Sequence, residues 1–210
     1  MRFAELDAVT VDGYGTLLRL RDPLPLLTAA LERHGVERAS DDIAAAFAAE
    51  VRHYRPRAHL ARDGAALDAL RLECVGVFLD ALGADLPPAA FVHDFLGSLV
   101  FEPVPGAAEA LRELRRRRLL LAVVANWDCA LEEHLRRTRL APLFDTIVSS
   151  ARAGVPKPDP AIFRLALTEL GVAPSQALHV GDEPLDEEGA RAAGMRFAAA
   201  PLASAFEGWT

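Results

Sequence analysis

The sequence predicts an α/β fold, in which helices cover both faces of a parallel sheet and a helical segment is inserted after the first strand. Two observations carry this prediction. From residue 104 onward, short apolar runs alternate with helical segments, which is the pattern of a parallel sheet between layers of helices. Between residues 17 and 100, apolar residues instead recur at spacings of three and four, which is typical of α-helices.

The individual elements follow from the same patterns. The first strand is predicted at Leu6–Val11, an apolar run with β-branched residues that ends at Asp12. Later strands are predicted at Leu119–Ala125, Asp145–Ser149, Ala177–Val180 and Arg196–Ala199. The helices between them are predicted at Ala107–Arg117, Leu131–Arg139, Ala161–Leu170 and Asp186–Ala193. We therefore expect a core domain of residues 1–16 and 101–210, and a helical cap domain of residues 17–100.

The composition bounds the class of protein. The chain has 210 residues, 51% of them hydrophobic, which suffices for one sizeable core or for a core domain with a small inserted one. The net charge of −7 argues against a nucleic-acid binder, and the run Arg115–Arg118 is interpreted as the solvated end of a helix. No apolar run reaches the roughly 18–20 residues of a membrane span. The N-terminus is too charged for a secretory signal. We expect a soluble, cytoplasmic protein.

Single residues of three kinds stand out. Lys157 is the only lysine in an arginine-rich chain, so it either marks a tight anionic site, where arginine cannot substitute, or is there by chance. The two cysteines, Cys74 and Cys129, are too few for a metal set or a disulfide framework, and Cys74 is predicted to fill the core. His179 lies within a predicted strand and is interpreted as a packed residue.

Polar segments follow four of the predicted strands. They are Asp12-Gly13-Tyr14-Gly15-Thr16, Ala125-Asn126, the loop that ends in Lys157-Pro158, and the loop Gly181–Asp186. The carboxyl ends of parallel strands meet at one edge of a sheet, so a lysine and several carboxylates are expected in one cleft. Each segment alone also fits a turn or a helix start, and the aspartate and the lysine would then form a plain structural ion pair.

In this order, the four segments resemble the motifs of the haloacid dehalogenase (HAD) superfamily, over nearly the whole chain. The first motif matches Asp12 and Thr16, and the second falls on Ala125 and Asn126. The lysine motif matches Lys157, and the acidic motif matches Asp182 and Asp186. The inserted helices resemble the C1-type cap of subfamily I.

The resemblance implies a HAD-like Rossmannoid sheet and a hydrolase. Asp12 would be the nucleophile and would form a covalent aspartyl intermediate. Tyr14, Thr16, Asn126 and Lys157 would complete the catalytic set, with Asn126 and Lys157 also contacting the substrate. The resemblance further implies Mg²⁺, which prefers carboxylate and water oxygens. Its site would be formed by Asp12, Tyr14, Asp182 and Asp186.

The chain departs from the family pattern at three positions. Tyr14 stands where phosphatases of the family usually carry an aspartate as general acid and base, a role worth about 10²–10⁴-fold in rate. A tyrosine, whose pKa is near 10, is a poor base at neutral pH. Ala125 has no hydroxyl for a phosphate oxygen, and Glu183 replaces a small polar residue. The acidic loop is also one residue shorter than in many relatives, so either Asp186 or Glu187 is expected to face the metal.

Three functions are compatible with these residues. The carboxylates favour a Mg²⁺-dependent phosphatase of a small phosphorylated metabolite. The form Asp-x-Tyr-Gly-Thr resembles the metal-independent 2-haloacid dehalogenases, in which halide leaves without a proton; Arg52, Arg55 and Arg57 are then candidates to bind the halide and the carboxylate. Tyr14 and Ala125 motivate a third alternative, a degenerate non-catalytic member. We expect a small anionic substrate, neither nucleic acid nor membrane as a partner, and a monomer or homodimer.

Overall fold

A computed structural model describes residues 5–206 of the chain. Its strands are β1 (Ala8–Val11), β2 (Leu18–Leu20), β3 (Phe101–Pro103), β4 (Leu120–Ala125), β5 (Thr146–Ser149), β6 (Ala177–Gly181) and β7 (Arg196–Ala199). Its α-helices are α1 (Leu24–Arg33), α2 (Ser40–Tyr54), α3 (Gly64–Leu82), α4 (Pro88–Ser98), α5 (Ala107–Arg116), α6 (Leu131–Arg137), α7 (Ser150–Ala153), α8 (Pro160–Leu170) and α9 (Pro184–Ala192). Single 3-10 turns lie at Ala58–Leu60, Ala141–Leu143 and Pro174–Gln176.

The main sheet has five strands in the order β5-β4-β1-β6-β7, and every neighbouring pair is parallel. The chain starts in the middle with β1, builds outward through β4 and β5, and then crosses to the other side for β6 and β7. Ligands of such sheets bind at the carboxyl ends of the strands, where the order reverses. The predicted parallel sheet is confirmed, and its reversal point lies at β1, directly before Asp12.

Helices cover both faces of this sheet because alternate strand residues point to opposite sides. Val9 and Val11 belong to a hydrophobic cluster with α5 and α6. Ala8 and Ala122 of the adjacent strand β4 belong to a second cluster, in which Phe163 of α8 and Ala190 of α9 are buried. The strands are therefore apolar on both sides, which explains why they appear in the sequence as continuous apolar runs rather than as alternating ones.

Helices α1 to α4 lie between β2 and β3 and have a hydrophobic cluster of their own. Phe78, Phe91 and Phe95 are buried at its centre, and the rings of Phe78 and Phe95 lie 5.0 Å apart. The chain enters the helical segment through β2 and leaves it through β3. These two strands form an antiparallel pair, in which Leu18 lies opposite Pro103. The expectation of a wholly helical segment from residue 17 is therefore wrong at Leu18–Leu20. Three residues are too few to show a period of two, and the partner strand lies beyond all four helices.

Other differences from the sequence prediction are small. Strand β1 begins at Ala8 rather than Leu6, and the single turn α7 was not predicted; Ser149 caps it by accepting a hydrogen bond from the Arg152 amide at 3.2 Å. Two further predictions are confirmed. Cys74 is buried, and the arginines at the end of α5 are solvated, as in the exposed ion pair of Arg115 with Asp145. No helix among residues 5–206 is long and apolar enough to cross a membrane.

The inserted helices contain a buried acid whose ionisation should govern their stability. Glu50 of α2 is 6% exposed, and burial raises its pKa to about 7 against the opposing hydrogen bond from Cys74. Since the pKa is higher in the folded than in the unfolded chain, this contribution to stability is present at low pH and is lost as pH rises through 7. Glu50→Gln should therefore raise the free energy of unfolding at pH 8 by roughly 2 kcal/mol, with a much smaller gain at pH 5.

Urea unfolding of both proteins at the two pH values measures this difference. Glu32→Gln on the exposed face of α1 makes the same chemical change without burial, so it should leave the pH dependence unchanged. A Glu50→Gln protein that unfolds like the wild type at both pH values would show that the buried carboxyl carries no such penalty.

Candidate active site

The polar segments after the strands meet at the carboxyl edge of the sheet. Asp12 directly follows β1, and its amide donates to the carbonyl of Val180 at 2.9 Å, which holds this residue on the neighbouring strand β6. Lys157 comes from the loop between α7 and α8, and Asp186 lies in the first turn of α9. Asp12, Lys157 and Asp186 are 6%, 4% and 1% exposed, respectively. The structure thus brings three ionisable groups into contact in a nearly closed site.

Lys157 bridges two carboxylates. Its ammonium forms ion pairs with Oδ1 of Asp12 and, at 2.5 Å, with Oδ1 of Asp186. Burial lowers the pKa of Lys157, but the attraction of the two carboxylates outweighs burial and raises it above its ordinary value. The lysine therefore stays charged. Its compact ammonium contacts both acids at once, which fits the idea that this position excludes arginine.

The two acids respond differently to the same surroundings. Burial raises the pKa of Asp12 to about 7, against the charge of Lys157 and with a further increase from Asp186. Burial also opposes ionisation of Asp186, but its hydrogen bond from His179 and the charge of Lys157 outweigh burial and hold its pKa below the usual range. Asp186 is thus ionised at neutral pH, whereas the ionisation of Asp12 depends on the charges placed beside it.

Asn126 holds the loop that carries Lys157. Its Nδ2 donates to the carbonyl of Lys157 at 3.1 Å, and its Oδ1 accepts from the amide of Lys157 at 2.7 Å. Both polar ends of the side chain are therefore used on one peptide backbone. This geometry assigns Asn126 to the placement of Lys157, and its contact with a substrate stays a prediction.

The loop after β1 is tied to the acidic loop after β6. Thr16 is fully buried and donates from Oγ1 to Oδ1 of Asp182 at 3.1 Å, whereas Asp182 is exposed. Gly15, which precedes Thr16, has φ +88°, and a Cβ at this position would overlap the carboxylate of Asp182. Two features therefore require glycine here, the left-handed backbone conformation and the close approach of the carboxylate.

Three of the carboxylates form a set that fits a metal ion. One oxygen each of Asp12, Asp182 and Asp186 lies within 4.8 Å of the others. Carboxylate oxygens are the ligands that Mg²⁺ prefers, so the donor chemistry fits this ion. Glu187 is paired with Arg191 at 2.6 Å on the outer side of α9. Between the two acids that the sequence left open, Asp186 is therefore the one that faces the site.

Two of the sequence departures have clear positions. The side chain of Tyr14 is 46% exposed, and its metal contact stays a prediction. Ala125 is buried at the end of β4, and its Cβ would lie 2.9 Å from a Cβ placed on Gly13. The chain after β1 thus passes so close to Ala125 that both positions need small residues.

The end of helix α2 and the segment after it reach the site loops. Tyr54 donates from Oη to Oδ2 of Asp128 at 2.8 Å, and Arg55 pairs with Glu183 at 2.7 Å. Among the three arginines considered for anion binding, Arg55 is thus the one that contacts a loop of the site. Arg57 donates to the carbonyl of His53, and Arg52 is exposed on the helix.

Sequence reasoning missed the contacts of His179. It is packed inside β6, as predicted, with no exposed surface. Its Nδ1 lies 2.8 Å from Oγ1 of Thr10, and its Nε2 lies 3.1 Å from Oδ1 of Asp186. The sequence did contain a signal for this contact. Thr10 and His179 are polar residues within two predicted buried strands, and a parallel sheet can place such strands side by side. The register places Thr10 opposite His179.

Comparisons with known proteins agree with this geometry. A family model described as haloacid dehalogenase-like hydrolase matches residues 6–194. The chain is 36% identical over 202 residues to "Haloacid dehalogenase-like hydrolase domain-containing protein 3" of Homo sapiens, which covers 91% of this chain and 80% of that protein.

Two further similarities point to different chemistries. "Phosphoserine phosphatase" of Thermus thermophilus is 46% identical over 94 residues, which cover 44% of this chain and 38% of that protein. The structure of L-2-haloacid dehalogenase from Xanthobacter autotrophicus is 26% identical with a TM-score of 0.68, and the match covers 96% of this chain and 82% of that one. The proteins that are similar to this chain therefore include both a phosphatase and a dehalogenase.

Proposed function

Because the chain belongs to the haloacid dehalogenase-like hydrolase family, we propose that it is a Mg²⁺-dependent phosphatase of a small phosphorylated molecule, with Asp12 as the nucleophile. The observation that carries the proposal is the charge of the site. Three carboxylates, those of Asp12, Asp182 and Asp186, lie close together, and a single ammonium, that of Lys157, pairs with two of them, Asp12 and Asp186. A divalent cation balances this excess of negative charge, which would otherwise repel an anionic substrate. The similarity to a phosphoserine phosphatase supports the same choice.

In the proposed reaction, an oxygen of Asp12 attacks the phosphorus of a phosphate monoester. The new bond joins this oxygen to phosphorus, the ester bond to the alcohol oxygen breaks, and an aspartyl phosphate forms. Water then attacks the phosphorus, which releases inorganic phosphate and restores the carboxylate. Lys157 holds the carboxylate of Asp12 in place through Oδ1 and attracts the phosphate charge.

Asp12, Asp182 and Asp186 would hold the magnesium ion. When bound, Mg²⁺ supplies positive charge between the nucleophile and the anionic substrate. Thr16 fixes the orientation of Asp182 through its hydrogen bond, and Asn126 fixes the loop of Lys157. Tyr14 replaces the usual acid, so the leaving alkoxide would take its proton from water rather than from an aspartic acid. We therefore propose a slow enzyme.

Helices α1 to α4 are proposed to be a cap that limits the size of the substrate. Asp12 is only 6% exposed, and Tyr54 and Arg55 at the end of α2 contact the loops around it. A substrate that reaches the nucleophile must fit beneath these contacts or separate them. Small phosphorylated metabolites meet this requirement better than a phosphorylated protein surface.

Phosphate release from an aryl phosphate tests the proposal. The wild type should turn over with Mg²⁺ and should lose this activity when a chelator removes the ion. A panel of small phosphate esters that gives no Mg²⁺-dependent release above the Asp12→Asn protein would rule the phosphatase out.

The second candidate function is dehalogenation of a 2-halo acid. The specific observation in its favour is the form Asp12-Gly13-Tyr14-Gly15-Thr16, together with the similarity to L-2-haloacid dehalogenase. Chloride release from 2-chloropropionate that is insensitive to a chelator would establish it. The absence of chloride release at high enzyme concentration would exclude it.

The close approach of Gly15 to Asp182 gives a prediction about the acidic loop. Gly15→Ala should lower the Mg²⁺-dependent rate by up to about 100-fold, because the added Cβ displaces the carboxylate of Asp182. Gly35→Ala is a matched control. Gly35 also has a positive φ, +74°, but an added Cβ meets nothing within 4 Å. Both variants should lose roughly 1–2 kcal/mol of stability, and only Gly15→Ala should lose activity. Equal activity of the two proteins in a steady-state assay would contradict the role of Asp182.

A further inference from the structure

A chain of buried hydrogen bonds runs through the sheet behind the site. Thr10 of β1 and His179 of β6 are partners in the parallel register, and both have no exposed surface. Oγ1 of Thr10 lies 2.8 Å from Nδ1 of His179, and Nε2 of His179 lies 3.1 Å from Oδ1 of Asp186. The same oxygen of Asp186 accepts from the ammonium of Lys157, which also contacts Asp12. These hydrogen bonds thus connect the interior of the sheet to the proposed nucleophile.

The partners fix the direction of each hydrogen bond. An ionised carboxylate only accepts, so Nε2 of His179 must carry the proton that points to Asp186. The ring of His179 lies between Thr10 and Asp186, and when its Nε2 donates to the carboxylate, its Nδ1 faces the hydroxyl of Thr10 as an acceptor. The hydroxyl of Thr10 therefore donates to Nδ1. The hydroxyl holds the ring in the one tautomer that donates to Asp186.

The other oxygen of Asp186 also accepts a hydrogen bond. Its Oδ2 accepts from the amide of Glu183 at 3.0 Å, and a Cβ added to Gly181 would overlap the carboxylate. The carboxylate is therefore held at both oxygens and packed against the backbone of β6. Without the bond from His179, its Oδ1 would be held by Lys157 alone, and the lysine would lose a fixed partner.

We propose that Thr10 and His179 are positioning residues, which orient Asp186 so that Asp186 keeps the ammonium of Lys157 on Asp12. This inference rests on the proposed function, because it concerns the placement of its nucleophile. It assigns a role to two residues that contact neither substrate nor metal. Groups that orient the direct ligands of a site typically contribute 10–100-fold to activity.

The single lysine of the chain makes the proposal directly measurable. With ¹⁵N-labelled lysine, the side-chain ammonium signal in an NMR spectrum comes from Lys157 alone. The signal is recorded on the full chain without substrate or Mg²⁺. Thr10→Val removes the hydroxyl but keeps the side-chain shape, and His179→Phe keeps a ring but removes both bonds. Both variants should shift or broaden the Lys157 signal and lower kcat/KM about tenfold or more.

Three controls separate positioning from stability. Thr10→Ser keeps the hydroxyl donor, and His179→Gln keeps an N–H donor, so both should preserve most of the wild-type signal and rate. Val148→Ala opens a cavity in the hydrophobic cluster that contains Ala8 and Phe163, and it removes none of these hydrogen bonds. It should lower stability and leave the Lys157 signal in place.

An unchanged Lys157 signal in folded Thr10→Val would overturn the proposal. If His179→Phe does not fold, Thr10→Val alone tests the placement of Lys157.

A failure of this placement can be distinguished from a failure of the proposed function. A wild type without phosphatase activity would refute the function, yet the Lys157 signal still tests the placement. A wild type that turns over, with a signal that neither variant moves, would refute the placement alone.

Discussion

Asp12→Asn should abolish the proposed phosphate release, with an expected loss of about 10⁴-fold or more. The amide has nearly the same shape as the carboxylate but lacks the anionic oxygen that attacks phosphorus, so no covalent intermediate forms. The variant should fold, because Lys157 retains its ion pair with Asp186. Steady-state release of phosphate from an aryl phosphate at saturating Mg²⁺ measures the loss.

Asp85→Asn provides the matched control, because it makes the same chemical change at an exposed position in the loop before α4. It should turn over at the wild-type rate. An Asp12→Asn protein with comparable activity to this control would show that another group attacks the substrate. The Asp12→Asn protein, prepared in parallel, also gives the background rate with which weak wild-type activity is compared.

Tyr14→Asp should raise kcat, by about 10²-fold at saturating Mg²⁺. The position two residues after the nucleophile is where phosphatases of the family usually carry their general acid and base, and an aspartic acid there would protonate the leaving alcohol. The side chain of Tyr14 is 46% exposed, so its replacement costs little packing. A high Mg²⁺ concentration is needed because a further carboxylate beside Asp12 would raise the pKa of the nucleophile.

Two other substitutions at this position identify the cause of any gain. Tyr14→Asn is close in size to aspartate but cannot transfer a proton, so it should not increase the rate. Tyr14→Phe should retain wild-type activity, since the phenol hydroxyl transfers no proton in the proposed reaction. A fall in activity with Tyr14→Asp, or a loss with Tyr14→Phe, would contradict the assignment of this position.

The edge at which the site forms was predictable from the sequence alone. Asp12, Lys157 and Asp182 each follow an apolar run or a loop after one, and parallel strands bring such positions together whatever their distance in the chain. The strands are recognisable because both of their faces are buried, which makes them continuously apolar. The family follows from the same residues, and the match over residues 6–194 confirms it.

Other features depend on contacts that no local pattern records. Strand β2 exists because Leu18 pairs with Pro103 across four intervening helices. The choice between Asp186 and Glu187 depends on the rotation of the first turn of α9, which the packing of that helix determines. Asn126 has a plausible place at the site in the sequence, yet its partner is the backbone of Lys157. Such pairings become visible only when the strand register and the helix orientation are known.

The central claim is that Asp12 carries a phosphoryl group during the reaction. Acid quenching of the enzyme during turnover of an aryl phosphate with Mg²⁺, followed by mass spectrometry of its peptides, tests this claim most directly. The peptide containing Asp12 should gain the mass of one phosphoryl group on this residue, and the same peptide of Asp12→Asn should gain none. Turnover with the phosphoryl group on a different residue, or with none on any peptide under conditions that trap aspartyl phosphates, would contradict it.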